Sequence, residues 1–207
     1  MIWTWFCNWF TKITGLLPQW FCFRTKVTDE DPLRSGRKIR GPILIVSNHT
    51  SLYDYAVYLF VFFFRTLRAV MAELLFRKPV LGAYLKWMGG IKVDRDAHEF
   101  RFIDEAEEIL KKGGTVLIFP ESRLPRAEEE RPLPFKPSVA VLALRANVPV
   151  VPVYTNGSYF TKKRAKVVVG APVNVSEWVD PGLSERENLE RVTAMLREKI
   201  IELGKLQ

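Results

Sequence analysis

The chain has 207 residues, with 31 Lys and Arg against 23 Asp and Glu, and only two cysteines. The length suits one domain with a full core, and the net charge of 31 − 23 = +8 favours an anionic partner, either nucleic acid or a membrane surface. Cys7 and Cys22 are too few for a disulfide scaffold and have no metal-ligand spacing, so we expect a reduced, cytosolic-side protein.

Residues 1–23 are apolar and rich in tryptophan. They lack the basic start and small-residue cleavage site of a signal peptide. A transmembrane span needs roughly 20 mostly apolar residues, and this segment is broken into two apolar pieces by Lys12, Gly15, Pro18 and Gln19. Because Trp prefers the membrane interface, one hypothesis is a pair of short helices lying on one leaflet. A helical hairpin packed on the domain is the alternative.

A basic cluster follows, formed by Arg34, Arg37, Lys38 and Arg40. Beside a membrane anchor such a cluster indicates contact with anionic headgroups, at about 1 kcal/mol per basic residue. A solvated loop explains it equally well. We divide the chain into membrane-interface helices at 1–26 and a folded domain at 27–207. The expected location is peripheral or monotopic, on the cytoplasmic face of the cell membrane.

From residue 43 onward, short apolar runs alternate with helical patterns. Strands are predicted at 43–47, 68–72, 91–94, 115–119, 149–154 and 166–170. Helices are predicted at 52–64, 74–88, 97–112, 137–146 and 184–203. This alternation predicts a single α/β domain with a largely parallel central sheet flanked by helices.

In open α/β sheets, binding sites form beyond the carboxyl ends of the strands. The residues that follow the predicted strands are therefore the candidates: His49, Arg95, Glu121, Arg123 and Asn156.

His49 and Asp54 stand five residues apart after the first strand. On a straight helix, five steps leave roughly 140° between the side chains, so they meet only if His49 lies in the turn before the helix. Ser51-Leu52-Tyr53-Asp54 has the S-x-x-D form of a capping box, which starts a helix near Ser51 and leaves His49 outside it.

Two hypotheses fit this pattern. Asp54 either only caps the helix and complements its dipole, an effect of typically 0.3–1 kcal/mol, or it orients His49 as a general base. Spacing alone does not separate them.

Several short motifs, in matching order along the chain, resemble those of the glycerolipid acyltransferases, the lysophosphatidic acid acyltransferase family. Asn48-His49 with Asp54 resembles the N-H-x-x-x-x-D motif. Four further stretches match in sequence order, namely GGIKVDR at 89–95, FPESR at 119–123, FKPS at 135–138 and VVPV at 150–153. Together they cover about residues 40–156.

The chain departs from the family pattern at a few positions. Ser122 and Ser138 stand where the family usually has Gly, and Met71 stands where Lys is frequent. The usual Thr is missing from the third motif, so Arg123 comes one position early. These changes leave His49 and Asp54 untouched, but two of them fall in the motif that the family links to the acceptor phosphate.

The resemblance implies acyl transfer from a thioester to the free hydroxyl of lysophosphatidic acid, giving phosphatidic acid for phospholipid synthesis. His49 and Asp54 would be catalytic. Arg95, Arg123 and Lys136 would bind phosphate, and Glu121 would organise the loop or pair with an arginine. Neither a cofactor nor a metal is implied. The acyl donor, acyl-CoA or acyl carrier protein, acts as a substrate.

Other functions stay open. Glycerol-3-phosphate or another lysolipid could be the acceptor, and a thioester hydrolase or a non-enzymatic membrane-surface protein are rival classes. A nucleic-acid binder is not favoured, because the aromatic residues concentrate at the N-terminus and do not interleave with the basic clusters.

Overall fold

The computed structural model describes residues 2–93, 101–162 and 164–207. Within these ranges the centre of the molecule is a seven-stranded sheet of order β1-β7-β6-β2-β5-β3-β4. The strands are β1 (Lys26–Asp29), β2 (Ile43–Ser47), β3 (Leu67–Ala72), β4 (Ile91–Val93), β5 (Thr115–Ile118), β6 (Val150–Thr155) and β7 (Lys166–Val169).

Five adjacent strands, from β6 to β4 in sheet order, run parallel. β7 is antiparallel to β6, and β1 pairs parallel with β7. The five parallel strands therefore end at one edge of the sheet, the carboxyl edge, where β7 begins. The prediction of a largely parallel sheet flanked by helices is confirmed.

Helices cover both faces of the sheet. They are α1 (Ile2–Pro18), α2 (Asp54–Val61), α3 (Glu73–Phe76), α4 (Pro79–Trp87), α5 (Arg101–Lys111), α6 (Ser138–Ala146) and α7 (Glu185–Gly204). Leu44 and Val46 of β2 pack in the core shared with α5, α6 and α7, whereas Ile43 and Ile45 pack in the core shared with α2. Because β2 is buried on both faces, it is apolar at every core position rather than alternating.

Several predicted boundaries differ from the observed ones. The helix predicted at 52–64 is the shorter α2, and the one predicted at 74–88 is divided into α3 and α4. Pro79 causes the division, since it fits the first turn of a helix but not its interior. The predicted strand end at Asp94 and the predicted helix start at 97–100 lie outside the described residues.

The N-terminal segment forms α1, followed by a π-helical turn at Gln19–Phe23. The helix type changes after Pro18, and Lys12 and Gly15, which were also expected to interrupt the segment, lie inside α1 and do not break it. No helix in the described part of the chain is long and apolar enough to cross a bilayer. The division of the chain at residue 26 stays a prediction.

A polar seam holds α1 against the domain. Lys12 is buried, and its Nζ donates to the backbone carbonyls of Phe63, at 2.8 Å, and Arg65. The Asn8 amide donates to the carbonyl of Met88, at 3.3 Å, and its oxygen accepts the N–H of Leu67, at 3.1 Å. Large apolar side chains on the segment are half or more exposed, namely Ile2, Trp3, Trp5, Phe6, Phe10, Ile13, Leu17, Trp20 and Phe21.

Burial lowers the pKa of Lys12 from 10.5 to about 8. Between about pH 8 and pH 10 the unfolded chain then binds more protons than the folded one, so this lysine makes the unfolding free energy rise with pH. We expect the difference in unfolding free energy, wild type minus Lys12→Met, to be larger at pH 10 than at pH 8 by on the order of 1–3 kcal/mol. Urea titrations at both pH values measure the difference. Parallel pH dependence of the two proteins would contradict the prediction.

Candidate active site

His49 lies in the turn that follows β2, and Asp54 is the first residue of α2. Their side chains meet: His49 Nδ1 is 2.8 Å from Asp54 Oδ2. Asp54 is fully buried, whereas the imidazole keeps 15% of its surface exposed. A substrate can thus reach the histidine but not the carboxylate.

Every partner of the Asp54 carboxylate is a hydrogen-bond donor or can act as one. Besides the imidazole, Oδ2 accepts the backbone N–H groups of Thr50, at 2.7 Å, and Ser51, at 2.9 Å. Oδ1 accepts the hydroxyls of Thr50, at 2.9 Å, and Tyr159, at 2.8 Å. Such a shell matches a carboxylate, which when ionised only accepts hydrogen bonds. The Nδ1 atom of His49 then carries the proton, and Nε2 is left as the basic atom.

The Asp54 carboxylate holds the turn before α2 as well as the imidazole. The bond from the Ser51 N–H to Asp54 is one half of a capping box. The other half is missing, because Ser51 Oγ accepts the N–H of Tyr53 instead, and the helix begins at Asp54 rather than near Ser51. The two hypotheses for Asp54 do not exclude each other.

Tyr159 was not among the residues predicted from the sequence. Burial, and then the negative charge of Asp54, raises the pKa of Tyr159, so its hydroxyl keeps its proton and donates. Gly157, with φ +64°, brings the loop after β6 against the turn: a Cβ there would lie 2.3 Å from Thr50 Oγ1. The strand-end rule could have found Tyr159, since the loop after β6 lies beside His49. The side-chain oxygen of Asn156, which that rule did select, accepts the N–H groups of Ser158 in its own loop and of Lys166 at the start of β7.

Two neighbouring strands clamp the backbone of the turn. The Asn48 amide exchanges two 2.8 Å hydrogen bonds with the backbone of Thr155 at the end of β6. Glu121, just beyond β5, accepts the N–H of His49 at 2.8 Å and that of Leu133 at 2.9 Å. Burial raises the pKa of Glu121, and these two N–H groups act in the opposite direction. Glu121 thus joins two loops.

An aromatic ring sets the plane of the imidazole. Phe119 stacks on His49 with ring centroids 4.3 Å apart and an interplanar angle of 22°. Tyr58 lies behind Phe119, at 6.1 Å. With its ring stacked, its Nδ1 bonded and its backbone clamped, His49 is held in one orientation.

The structure fixes the residues that were predicted to bind phosphate less closely than it fixes His49 and Asp54. Arg123 stands in an exposed loop, and its two terminal nitrogens donate to the carboxylate of Glu129 at 2.7 and 2.6 Å. This bond is the main reason that the pKa of Glu129 falls to about 2. Lys136 is exposed, and its backbone N–H donates to the carbonyl of Pro120, at 2.9 Å, beside the third motif. Arg95 lies outside the described residues.

The motifs and their geometry agree with a family model for acyltransferases, which matches residues 24–156. The chain belongs to the acyltransferase family. It is 31% identical over 176 residues to the human 1-acyl-sn-glycerol-3-phosphate acyltransferase beta, covering 83% of this chain and 58% of that protein. It is 29% identical over 178 residues to the 1-acyl-sn-glycerol-3-phosphate acyltransferase of Pseudomonas aeruginosa, covering 80% of this chain and 66% of that one.

A solved structure in the acyltransferase family has the same fold. The 1-acyl-sn-glycerophosphate (LPA) acyltransferase PlsC from Thermotoga maritima superimposes with a TM-score of 0.66 and 25% identity. The superposition covers 97% of this chain and 79% of that one. The chain spans 58% and 66% of the length of the two relatives matched by sequence. The family resemblance found in the motifs is confirmed.

Ser122 occupies a glycine position of the acyltransferase motif, with φ +62°. The left-handed region costs a residue with a Cβ roughly 1–2 kcal/mol, and glycine adopts it freely. Since glycine also loses more entropy on folding, we expect Ser122→Gly to raise the unfolding free energy by about 0.5–1 kcal/mol. Urea denaturation measures this change.

Ser138→Gly is the matched control, because it also replaces a serine with the usual family residue. Ser138 begins α6, where glycine is a poorer helix former, so this variant should lose up to about 1 kcal/mol. Stability changes of the same sign in both variants would contradict the explanation.

Proposed function

We propose that the chain transfers a fatty acyl group from an acyl thioester to the free hydroxyl of lysophosphatidic acid, forming phosphatidic acid and a free thiol. The observation that carries the proposal is the 2.8 Å contact between His49 Nδ1 and the buried carboxylate of Asp54. Membership of the acyltransferase family and the names of the relatives, which act as 1-acyl-sn-glycerol-3-phosphate acyltransferases, support it.

In the proposed reaction, Nε2 of His49 takes the proton of the acceptor hydroxyl as its oxygen attacks the thioester carbonyl. The tetrahedral intermediate then collapses, the C–S bond breaks, and the thiolate takes the proton from the imidazolium. Asp54 stabilises the imidazolium while it exists. General base catalysis typically supplies 10²–10⁴-fold, and holding donor and acceptor together could supply roughly 7–11 kcal/mol of the barrier.

The acceptor phosphate needs fixed cations, and Arg123 suits this role. Glu129 occupies one N–H on each terminal nitrogen and the carbonyl of Leu124 accepts from Nη1 as well, which leaves the N–H groups of Nε and Nη2 for a phosphate. Glu129 also fixes the guanidinium before the substrate arrives, which lowers the entropic cost of binding. We infer that Lys136 and Arg95 add charge to the same phosphate site.

We expect Arg123→Met to raise the KM for lysophosphatidic acid roughly 10- to 100-fold and to change kcat little, because charge-assisted hydrogen bonds contribute about 1.5–3 kcal/mol. Steady-state kinetics on mixed vesicles measure both constants. Arg145→Met is the control, since Arg145 is also paired with carboxylates but lies on α6, bonded to Asp104 and Glu107. An equal rise in KM in both variants would argue against phosphate binding by Arg123.

The same proposal places the enzyme on the membrane surface, where its lipid substrate resides. The exposed apolar side chains of α1 and of Gln19–Phe23 suit the interfacial region of one leaflet. Arg34, Lys38 and Arg40 are exposed as well and suit contact with anionic headgroups, whereas Arg37 is paired with Asp29. We propose peripheral association with the cytoplasmic face.

The test is acyl transfer by purified protein on vesicles that contain lysophosphatidic acid, with acyl-CoA and acyl carrier protein donors in parallel. Phosphatidic acid formed with either donor supports the proposal and identifies the donor. If product formed only with glycerol-3-phosphate or another lysolipid, that molecule would replace lysophosphatidic acid as the proposed acceptor. Failure of every donor and acceptor, or free fatty acid as the only product, would overturn the transferase assignment.

A further inference from the structure

An aromatic cluster stands at the carboxyl edge, made of Phe23, Tyr53 and Phe160. Ring centroids are 4.9 Å apart for Phe23 and Phe160, 4.9 Å for Tyr53 and Phe160, and 5.9 Å for Phe23 and Tyr53. The three rings come from the end of the N-terminal helical segment, the start of α2 and the loop after β6. Tyr53 and Phe160 stay exposed by 50% and 57%.

Phe160 has an unfavourable backbone conformation for a bulky side chain. Its φ is +58°, in the left-handed region that favours glycine and costs an aromatic residue free energy. The ring is more than half exposed, so folding gains little in return. Strain at an exposed, bulky residue is typical of a functional position. A contact between this exposed ring and a partner outside the protein would account for its position.

The surroundings of the cluster fit one partner, the interface of an anionic bilayer. Leu52 is 70% exposed beside Tyr53, and Phe21 is 67% exposed beside the π-helical end, so the cluster continues the exposed apolar surface of the N-terminal segment. Exposed basic residues follow two of the rings in the chain: Arg24 and Lys26 after Phe23, and Lys162 and Arg164 after Phe160. Aromatic rings bordered by cations are suited to the headgroup region of anionic lipids.

The cluster also reaches the catalytic pair. The ring of Phe23 meets that of Tyr159 edge to face, with centroids 5.7 Å apart, and the Tyr159 hydroxyl donates to Asp54 Oδ1. Tyr159 is buried and directly precedes Phe160 in the chain. Two steps thus separate the exposed surface from the carboxylate that holds His49.

We propose that the aromatic cluster is a second lipid-contact site, for the interface of an anionic bilayer, and that this contact positions Asp54 through Tyr159. The inference rests on the proposed acyl transfer for its catalytic half only. Membrane binding by the cluster stands separately from it. Tyr159 is a positioning residue, since it acts on the reaction through Asp54.

Vesicle flotation without an acyl donor tests the lipid contact, so that its failure is distinguishable from failure of the proposed reaction. Phe160→Gly removes both the ring and the strain. We expect at least about tenfold weaker binding to vesicles with anionic lipid, together with an unchanged or higher melting temperature. Phe160→Trp should retain binding. Leu206→Gly, at an exposed apolar position just beyond α7, is the control and should bind like wild type.

Unchanged vesicle binding by Phe160→Gly would overturn the lipid contact, and so would an equal loss in Leu206→Gly. For the coupling, we expect Tyr159→Phe to bind vesicles normally and to lose kcat several-fold at constant KM. An unchanged kcat in Tyr159→Phe would overturn the positioning role. A wild-type kcat for Phe160→Gly at saturating vesicle concentration would also overturn the positioning role.

Discussion

Replacing His49 with alanine should lower kcat for phosphatidic acid formation by at least about 10²-fold, and by as much as 10⁴-fold. The fold should persist, because the backbone of His49 is held by Glu121 and the neighbouring Asn48 is held by Thr155, independently of the imidazole. The loss of Nε2 leaves no base for the acceptor hydroxyl. Product formation from the chosen acyl donor, measured beside the melting temperature, separates catalysis from stability.

A folded His49→Ala protein with near wild-type kcat would remove the general base from the mechanism. Glu121→Gln is a useful companion, because it changes the carboxylate that holds the same turn. We expect it to lower the melting temperature as well as the activity. A variant that lost activity alone would indicate that Glu121 contacts the substrate.

Asp54→Asn should have the second-largest effect, with kcat lowered by about 10²-fold or more and only a small change in melting temperature. Asparagine caps a helix about as well as aspartate. Its oxygen can accept the N–H groups of Thr50 and Ser51 at the Oδ2 position, and its amide can donate to the hydroxyls of Thr50 and Tyr159. The imidazolium loses only its negative partner.

The control for Asp54→Asn is Asp29→Asn. Asp29 also accepts several hydrogen bonds, from Ser35 and Arg37, but it stands on the edge strand β1. We expect Asp29→Asn to retain kcat on the same vesicles. Near-normal kcat in Asp54→Asn would leave this carboxylate with only the structural role of holding the turn before α2.

The central strands follow directly from the sequence because both of their faces are buried. Residues 43–47 are the observed β2 without a shift, and 68–72 differs from β3 by one residue. β1 was missed for the opposite reason. It is a four-residue edge strand whose side chains alternate between exposed and half-buried, and it carries charge at both ends. Only its pairing with β7 makes it a strand.

Lys12 shows why the N-terminal segment could not be read fully. A charge in an apolar run indicates an interruption when local sequence is the only guide. Here the lysine stem is buried and its ammonium group bonds to carbonyls of Phe63 and Arg65, more than fifty residues away. Long side chains can bury their stems and satisfy a polar end, but the partner exists only in the folded chain.

The contact between His49 and Asp54 could be predicted because motif and spacing both lie within six residues. Tyr159 was missed, because its contact with Asp54 depends on β6 lying beside β2 in the sheet and the strand-end rule was applied only to Asn156 in that loop. The pair formed by Arg123 and Glu129 was missed similarly, because it depends on the path of an exposed loop.

The polar seam under α1 has a consequence for how the enzyme would sit on a leaflet. Asn8 and Lys12 bond the helix to the loop before β3, to Leu67 at the start of β3 and to Met88 just after α4, so α1 is fixed to the domain rather than tethered to it. In the proposed membrane-bound state, the depth of α1 in the lipid would fix the height of His49 above the acyl chains. Acceptors would be sorted by where their hydroxyl lies along the membrane normal, before any contact with the phosphate distinguishes them.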